Sequence, residues 1–303
     1  MANVVVTGGS GRIGVELVKR LIRGGDIVTV IDLKHGDIEG VKYLTARLSE
    51  IKELKDVDIV YHLAASIDYK ASRGELKKKN IEPTEQLLKL CKGCQQFIFM
   101  STTSVYNESS ESITETTPLQ PYSNYGWSKL ECEALINNSG IPYTILRSSQ
   151  VYGPDFEEGY ASFLKHLQSG DMRIFGKGDN YIPLVHINDL IDALILVRMN
   201  KYAMNQTFNV DGGYAKTQMQ FMGLAARLLG VEPPAGRMEP GMAKILGVLT
   251  GKGGRIAEYT DKLTMNRRIS IGKISRIGFR PKVDLEQGMK EVIDAFRKRG
   301  IIK

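Results

Sequence analysis

The sequence predicts an α/β fold, a doubly wound parallel sheet with a smaller C-terminal lobe. Three observations predict it. Short apolar runs alternate with longer amphipathic stretches through the first half of the chain. The runs are apolar on both faces, as strands are when helices cover the sheet on each side. A glycine-rich segment, TGGSGRIG (7–14), lies directly after the first run and opens the first amphipathic stretch.

NVVVT (3–7) is the first predicted strand. The helix after it runs from Ile13 to Arg23 and ends at Gly24–Gly25, because glycine accepts the left-handed conformation that closes a helix. DIVTVIDL (26–33), VKYL (41–44), DIVYHLAA (58–65) and QFIFMS (96–101) are the next strands, and EPTEQLLKLCKG (82–93) carries helical spacing between the last two. A helix holding SNYGWSK (123–129) precedes the strand YTILRSS (143–149). Right-handed crossovers between such strands give the doubly wound, dinucleotide-binding arrangement. After residue 150 the pattern loosens, and HINDLIDALILVRM (186–199) and QTFNVDGG (206–213) read as one more helix and strand returning to the sheet. The expected division is a dinucleotide-binding domain over 1–150, with 183–213 returning to it. Residues 151–182 and 214–303 then form the smaller lobe, which ends on the helix DLEQGMKEVIDAFRK (284–298).

Composition narrows the function classes. Of 303 residues, 42% are hydrophobic and 25% charged, the balance of a soluble globular protein. No apolar run approaches the roughly 20 residues that span a bilayer. MANVVVTGGS lacks the basic flank of a signal peptide, so a cytoplasmic location is expected. The net charge of +7 would draw an anionic substrate. The basic residues are scattered, however, and Lys77, Lys78 and Lys79 read as a solvated helix face, so no nucleic-acid partner is expected. Three cysteines suit a reducing compartment. Cys91 and Cys94 have redox or zinc spacing, but Cys132 is the only other thiol, and His35, His62, His166 and His186 fall in no nearby ligand pattern. Tetrahedral zinc needs four ligands. No metal is expected, and CKGC reads as a helix end leading into a buried strand.

Gly8, Gly11 and Gly14 form a G-x-x-G-x-x-G loop between the first strand and its helix. Such a loop brings backbone N–H groups and the positive end of the helix against a pyrophosphate that side chains would block. Asp32 ends the next strand, 18 residues after Gly14. A carboxylate there accepts hydrogen bonds from an adenosine ribose and repels a 2′-phosphate, which favours NAD over NADP, although Arg12 and Lys34 stand close by in sequence.

Tyr125 and Lys129 are one helical turn apart, on one face of their helix. Together with the glycine loop, this Tyr-x-x-x-Lys spacing resembles the extended short-chain dehydrogenase/reductase family, which includes NAD-dependent sugar-nucleotide epimerases and dehydratases. The resemblance runs along nearly the whole chain, through YHLAAS (61–66), Asn80 in KKNIEPT, STTSVY (101–106), PLQPYSNYGWSK (118–129), ILRSSQVYGP (145–154) and RIGFRPKVDLEQGM (276–289). It implies a Rossmann fold with NAD against Gly8, Gly11, Arg12, Ile13, Gly14, Asp32, Leu33, Leu48, Leu63, Ala64, Ala65, Asn80, Tyr125 and Lys129. It implies that Tyr125 exchanges a proton with a substrate hydroxyl, that Lys129 holds the nicotinamide ribose and depresses the Tyr125 pKa, and that Thr102 hydrogen-bonds the reacting oxygen. A phenol titrates near 10. Bringing it to about 7 takes roughly 4 kcal/mol, of which a lysine charge about 5 Å away supplies roughly 3 at an effective dielectric near 20. A homodimer, commonly formed through the helix of the Tyr–Lys pair, is implied as well.

Departures from the family pattern narrow the reaction. Dehydratases of the family carry acidic residues just after the catalytic threonine, and its decarboxylases carry a glutamate where Ser104 stands. This chain has Thr103 and Ser104 there, and hydroxyls do not replace carboxylates as general bases at neutral pH. Thr103, Ser104 and Gln150 are expected to touch substrate, Gln150 standing where the family often has asparagine. Ile182 or Pro183 occupies the region of an arginine that grips the nucleotide diphosphate, leaving Arg173, Arg267 and Arg268 as substitutes, since guanidinium forks suit phosphates. Arg47 replaces an aspartate that many relatives place against the adenine. The leading expectation is an NAD-dependent sugar-nucleotide epimerase, most simply a UDP-sugar 4-epimerase. A hydroxysteroid-type or other small-alcohol dehydrogenase on the same scaffold is the alternative, with the apolar GMAKILGVLTG (241–251) as the lining of a greasy pocket. A nucleotide-binding protein without catalysis is the third reading, and the intact Thr102–Tyr125–Lys129 set argues against it.

Overall fold

The computed structural model describes residues 1–239, 241–242 and 264–303. Seven parallel strands form its central sheet: β1 (Asn3–Thr7), β2 (Ile27–Asp32), β3 (Lys42–Thr45), β4 (Ile59–His62), β5 (Gln96–Thr102), β6 (Tyr143–Ser148) and β7 (Gln206–Val210). Their spatial order is β7-β6-β5-β4-β1-β2-β3. The order reverses between β1 and β4, and the crevice beyond their C-terminal ends is where open α/β sheets bind ligands.

The strands are apolar on both faces because both faces are buried. Val4 and Val6 of β1 enter one core, whereas Val5 between them enters the other. The first core holds Leu17, Val18 and Leu21 of helix α1 (Arg12–Arg23); the second holds Leu87 and Leu88 of helix α2 (Glu82–Leu90) and Cys132 and Ile136 of helix α3 (Asn124–Asn137). Gly25, at φ 83°, closes α1 as glycine in that conformation should. A third core joins helix α4 (Tyr160–Gln168), helix α6 (Gln218–Leu229) and helix α7 (Leu285–Lys298), with Phe163 stacked on Phe221 at 5.2 Å. Between them in sequence, helix α5 (Ile187–Leu196) packs Leu190, Ile191 and Leu194 into the first core.

Two expectations need adjustment, and a third falls largely outside the described residues. The strand expected over 58–65 stops at His62: the Leu63 N–H still donates to the Thr7 carbonyl of β1, but the Ala64 N–H turns to Thr7 Oγ1 and the Ser66 N–H to Asn80 Oδ1. Of the returning segment, only 206–210 joins the main sheet. Leu184–His186 pairs instead with Gln150–Tyr152 in a separate two-stranded parallel sheet. The stretch GMAKILGVLTG lies outside the described residues apart from Gly241 and Met242.

CKGC is the end of α2 and the turn before β5, with both thiols buried and free. Burial pushes Cys91 up to about 12 and Cys94 up to about 11, which leaves both protonated and unreactive at neutral pH. Among the described residues, no cluster of His, Cys, Asp and Glu could hold a metal ion, and no helix is long and apolar enough to cross a membrane.

Candidate active site

The glycine loop follows β1 at the switch point. Gly8 has a φ of 72°, and a Cβ on it would lie 2.8 Å from the Ala64 nitrogen. A Cβ on Gly14 would collide with the Gly8 carbonyl oxygen, and one on Gly9 would strike the Val30 side chain at 2.6 Å. Three backbones therefore meet here with no room for side chains. Gly11 caps α1 without any side-chain hydrogen bond, so the first N–H groups of the helix stay available to an anion. Ile13 lies half-buried in the first turn.

Asp32 ends β2 beside this loop. Its Oδ2 accepts from the Ser10 N–H at 3.0 Å, and its Oδ1 accepts from the N–H groups of Leu33 at 2.7 Å and Lys34 at 3.2 Å. Ser10 Oγ donates in turn to the Lys34 carbonyl at 2.8 Å. The carboxylate thus locks the loop to the strand end. It retains lone pairs for a ribose hydroxyl, since two ionised oxygens offer about four acceptor positions. Ser10 carries no sequence signal of its own and was missed. Leu33 is 65% exposed next to it, whereas Leu48 is buried. Arg47 is exposed and precedes the short turn Leu48–Glu50. Arg12 is held by a later segment of the chain. Its guanidinium pairs with Glu158 at 3.0 Å and lies 5.3 Å over the Phe156 ring.

Leu63, Ala64 and Ala65 lie in the loop after β4, whose backbone a Cβ on Gly8 would strike. Asn80 fixes that loop. Its Oδ1 accepts from the Ser66 N–H at 2.7 Å, and its Nδ2 donates to the Ser66 carbonyl and to Ser128 Oγ at 3.0 Å. Ser128 belongs to α3, so one buried amide ties the cofactor-side loop to the helix of the Tyr–Lys pair. A π-helical turn at Lys77–Ile81 carries Asn80, as such turns often do at functional sites.

Tyr125 and Lys129 share one face of α3 and both are buried, at 7% and 2% exposure. Ser123 caps the helix through the Gly126 N–H at 3.0 Å. Gly126 is required because any side chain there would strike the Ser104 carbonyl. This close approach sets α3 against the Thr103–Val105 turn that follows β5. Thr102 ends β5, and its Oγ1 accepts from the Ser104 N–H and donates to Ser104 Oγ at 3.2 Å. The structure therefore brings Thr102, Thr103 and Ser104 to the N-terminal turn of α3.

The electrostatics differ from the expected pattern. Burial pushes the Tyr125 phenol above its ordinary value, with Tyr69, Cys132 and Tyr122 adding to it, and Lys129 does not offset this. The expectation that lysine supplies most of the depression omitted desolvation, which penalises the phenolate. Burial also lowers Lys129 to about 8. Its Nζ rests 3.9 Å over the Phe99 ring. His62, held between Thr7 Oγ1 and Thr84 Oγ1, is kept neutral by burial and by Lys129, at about 3.

Lys129 is thus held at a cost to stability. A shift from 10.5 to about 8 corresponds to about 3 kcal/mol. At pH 7 the full penalty is present. Between pH 8 and 10.5 the unfolded chain binds the extra proton, so stability due to this group rises with pH. Lys129→Met, stripped of NAD, is expected to melt above wild type at pH 7, with the gap closing as pH approaches 10. An equal or lower melting temperature at pH 7 would refute the desolvated state.

Behind the site lies a buried network that sequence reading missed. The Arg147 guanidinium on β6 donates to Glu133 of α3 at 2.6–3.2 Å and to the Tyr106 hydroxyl at 2.7 Å. Tyr106 donates to Asn209 of β7, and Ser101 of β5 donates to Glu133 at 2.5 Å. The helix of the Tyr–Lys pair is so bolted to three strands.

The remaining candidates separate. Gln150 donates to the Tyr160 hydroxyl at 3.1 Å. Ile182 and Pro183 are buried apolar residues and offer no ionic grip. Arg173 spends its guanidinium on the carbonyls of Gly170 and Met172. Arg267 is buried and Arg268 exposed.

Residues 4–211 match the NAD dependent epimerase/dehydratase family. The chain belongs to this family. The chain is 27% identical over 319 residues to a UDP-glucose 4-epimerase of Vibrio cholerae, covering 97% of this chain and 95% of the relative. It is 29% identical over 261 residues to an uncharacterised UDP-glucose epimerase of Bacillus subtilis, covering 75% and 82% of the two chains. A solved structure of a UDP-glucose 4-epimerase from Thermotoga maritima, with UDP-glucose, superposes with a TM-score of 0.79 at 27% identity, covering 98% of this chain and 99% of that one. Membership makes this chain an NAD-dependent enzyme, and its own residues fit that cofactor. The space that a Cβ on Gly8 or Gly14 would fill, the uncapped start of α1 and the free acceptor positions on Asp32 suit the pyrophosphate and ribose of NAD.

Proposed function

We propose that this family member is a UDP-sugar 4-epimerase. The observation that carries this reading is the composition of the site: a buried phenol, a buried lysine and hydroxyls at 102–104, with no carboxylate at 103 or 104. Transient oxidation of an alcohol needs one acid/base group. Dehydration and decarboxylation by the family's routes need a second, at positions where Thr103 and Ser104 stand. The names of the three epimerases given above support the same reading, and nothing in the described part of the site favours a net dehydrogenase of a free alcohol.

In this reading residues 1–150, with β7, carry NAD, and 151–182 with 214–303 carry the nucleotide sugar. Gly8, Gly11, Arg12, Ile13 and Gly14 hold the pyrophosphate; Asp32, Leu33 and Leu48 hold the adenosine; Leu63, Ala64, Ala65 and Asn80 form the wall opposite. NAD supplies a hydride acceptor and donor and, when oxidised, a positive charge. Tyr125 takes the proton of the C4 hydroxyl and returns it to the same oxygen after the ketone has turned its other face. Because burial raises Tyr125, the resting phenol is a proton donor and needs added positive charge to become a base. Lys129 contributes part of that charge and binds ribose hydroxyls. Thr102 holds the reacting oxygen, and Gln150 and Ser104 position the sugar. A cytoplasmic homodimer belongs to the same reading, supported by the family resemblance and by three buried thiols left unpaired.

Purified protein, with no added cofactor, is expected to interconvert UDP-glucose and UDP-galactose. Chromatography of the two sugar nucleotides reads the result. Stoichiometric NADH release in place of epimer formation would overturn the proposal.

A further inference from the structure

We infer that Tyr69 is a positioning residue for the reaction: its ring holds the Tyr125 phenol at its reacting angle and keeps water from one side of it. The inference rests on the role given to Tyr125 above and adds a residue outside the Thr102–Tyr125–Lys129 set. The two rings lie 5.3 Å apart at 53°, a tilted contact within the range of favourable aromatic pairs. Tyr69 is half-buried, whereas Ile67, Asp68 and Lys70 around it are exposed. Ile67 is 67% exposed, so the apolar side chain that faces water here is the isoleucine and the one turned inward is the tyrosine.

The loop fixes that direction. Asp68 sets a turn: its Oδ1 accepts from the Lys70 N–H at 3.0 Å and its carbonyl from the Ala71 N–H at 3.3 Å. Before the turn, Ser66 is clamped by Asn80, whose Nδ2 also donates to Ser128 Oγ of α3. After it, the Ala71 carbonyl accepts from Nδ2 of Asn124, the first residue of α3, at 3.1 Å. Both anchors end on the helix that carries Tyr125. The short stretch between them has little room to swing, so Tyr69 moves with α3.

A phenol that exchanges a proton must keep its oxygen in place, because a displacement of about 1 Å can cost about a hundredfold in rate. The Tyr125 carbonyl accepts from Ser128 Oγ at 2.8 Å, and Gly126 abuts the Ser104 carbonyl. Those restraints fix the backbone and leave the ring angle open. A second ring packed against it closes that freedom. The same contact replaces water beside the phenol, and desolvation disfavours the phenolate. Around Tyr125 the titratable groups are Tyr69 on the loop, Tyr122 ahead of α3, and Lys129 and Cys132 on α3 itself. Tyr122 lies under the Arg267 guanidinium at 5.1 Å.

Two measurements on the NAD-loaded protein test this with Tyr69→Ala, Tyr69→Leu and Tyr69→Phe. One is turnover of UDP-galactose across pH. The other needs no substrate: nuclear magnetic resonance of protein labelled with carbon-13 at tyrosine Cζ, in which the Tyr125 signal is the one lost in Tyr125→Phe. In Tyr69→Ala, kcat is expected to fall by about 10–100-fold with NAD content unchanged. The acid limb of kcat/KM should move down by about 1 on the pH scale, and the Tyr125 signal should begin to titrate at lower pH, because water reaches the phenol. Tyr69→Phe keeps the ring and should recover most of the turnover and the wild-type limb. Should Tyr69→Ala fold poorly, Tyr69→Leu carries the comparison, with changes of the same sign. A Tyr125 signal that titrates as in wild type overturns the inference, whether or not kcat falls, and leaves the epimerase reading intact. So does a loss of turnover that Tyr69→Phe does not restore. A wild type that turns over no UDP-sugar, with a Tyr125 signal that still moves in Tyr69→Ala, would uphold the ring contact and sink the epimerase reading.

Discussion

Tyr125→Phe is expected to lower kcat by about 10²–10⁴-fold, the range that a positioned acid/base supplies. The substitution removes one oxygen and leaves the ring that packs at 5.3 Å against Tyr69. NAD content and the melting temperature should therefore stay near wild type. KM should move little, because the proton transfer belongs to the transition state and not to ground-state binding. The measurement is epimer formed per enzyme with UDP-galactose at saturation. Turnover within a few-fold of wild type, with NAD retained, would remove Tyr125 from the chemistry.

Glu133→Ala should destabilise the fold by about 3–5 kcal/mol, as breaking one side of a buried ion pair does. The reason lies in what stays behind. Arg147 is 5% exposed and would keep its charge with only the Tyr106 hydroxyl as partner, and Ser101 would lose its acceptor. A urea transition reads the loss. The double variant Glu133→Met with Arg147→Met should recover much of it, since apolar side chains of similar volume replace such pairs at little net cost. Equal losses in the single and double variants would show that the pair itself is not the source. Turnover of the double variant is a separate readout. It should fall, because α3 is then held to the sheet by packing alone and Tyr125 loses its fixed position relative to Thr102.

Much of this site was legible in the chain because it follows from local rules. A glycine whose Cβ would strike the backbone at 2.8 Å announces itself as glycine, and Asp32 announces itself by ending a strand. Asn80 was found through family resemblance, and its role as a clamp between Ser66 and Ser128 emerged only from the geometry. Ser10, Gly126 and the Glu133–Arg147 pair gave no usable signal. Serine and glycine are common in loops, and a glutamate and an arginine 14 positions apart look like surface residues until the sheet brings them together. The Tyr125 electrostatics went the other way from expectation for a related reason. Helical spacing gives the separation of two charges, but not the number of waters left around them.

The sequence by itself determined the strand and helix order, the glycine cradle, the cofactor and the placing of Tyr125 and Lys129 on one face of α3. Each depends on backbone conformation or on periodicity over a few residues, which neighbouring side chains decide. Only the tertiary structure decided which charges are buried, which are paired and which are left facing a cavity. Lys129 at 2% exposure, Arg147 with Glu133 and Tyr106 as partners, and Arg267 with an Nε unpaired among the described residues are all basic residues in the sequence. Desolvation and pairing depend on segments far apart in the chain, and those terms are as large as the interactions that local spacing predicts.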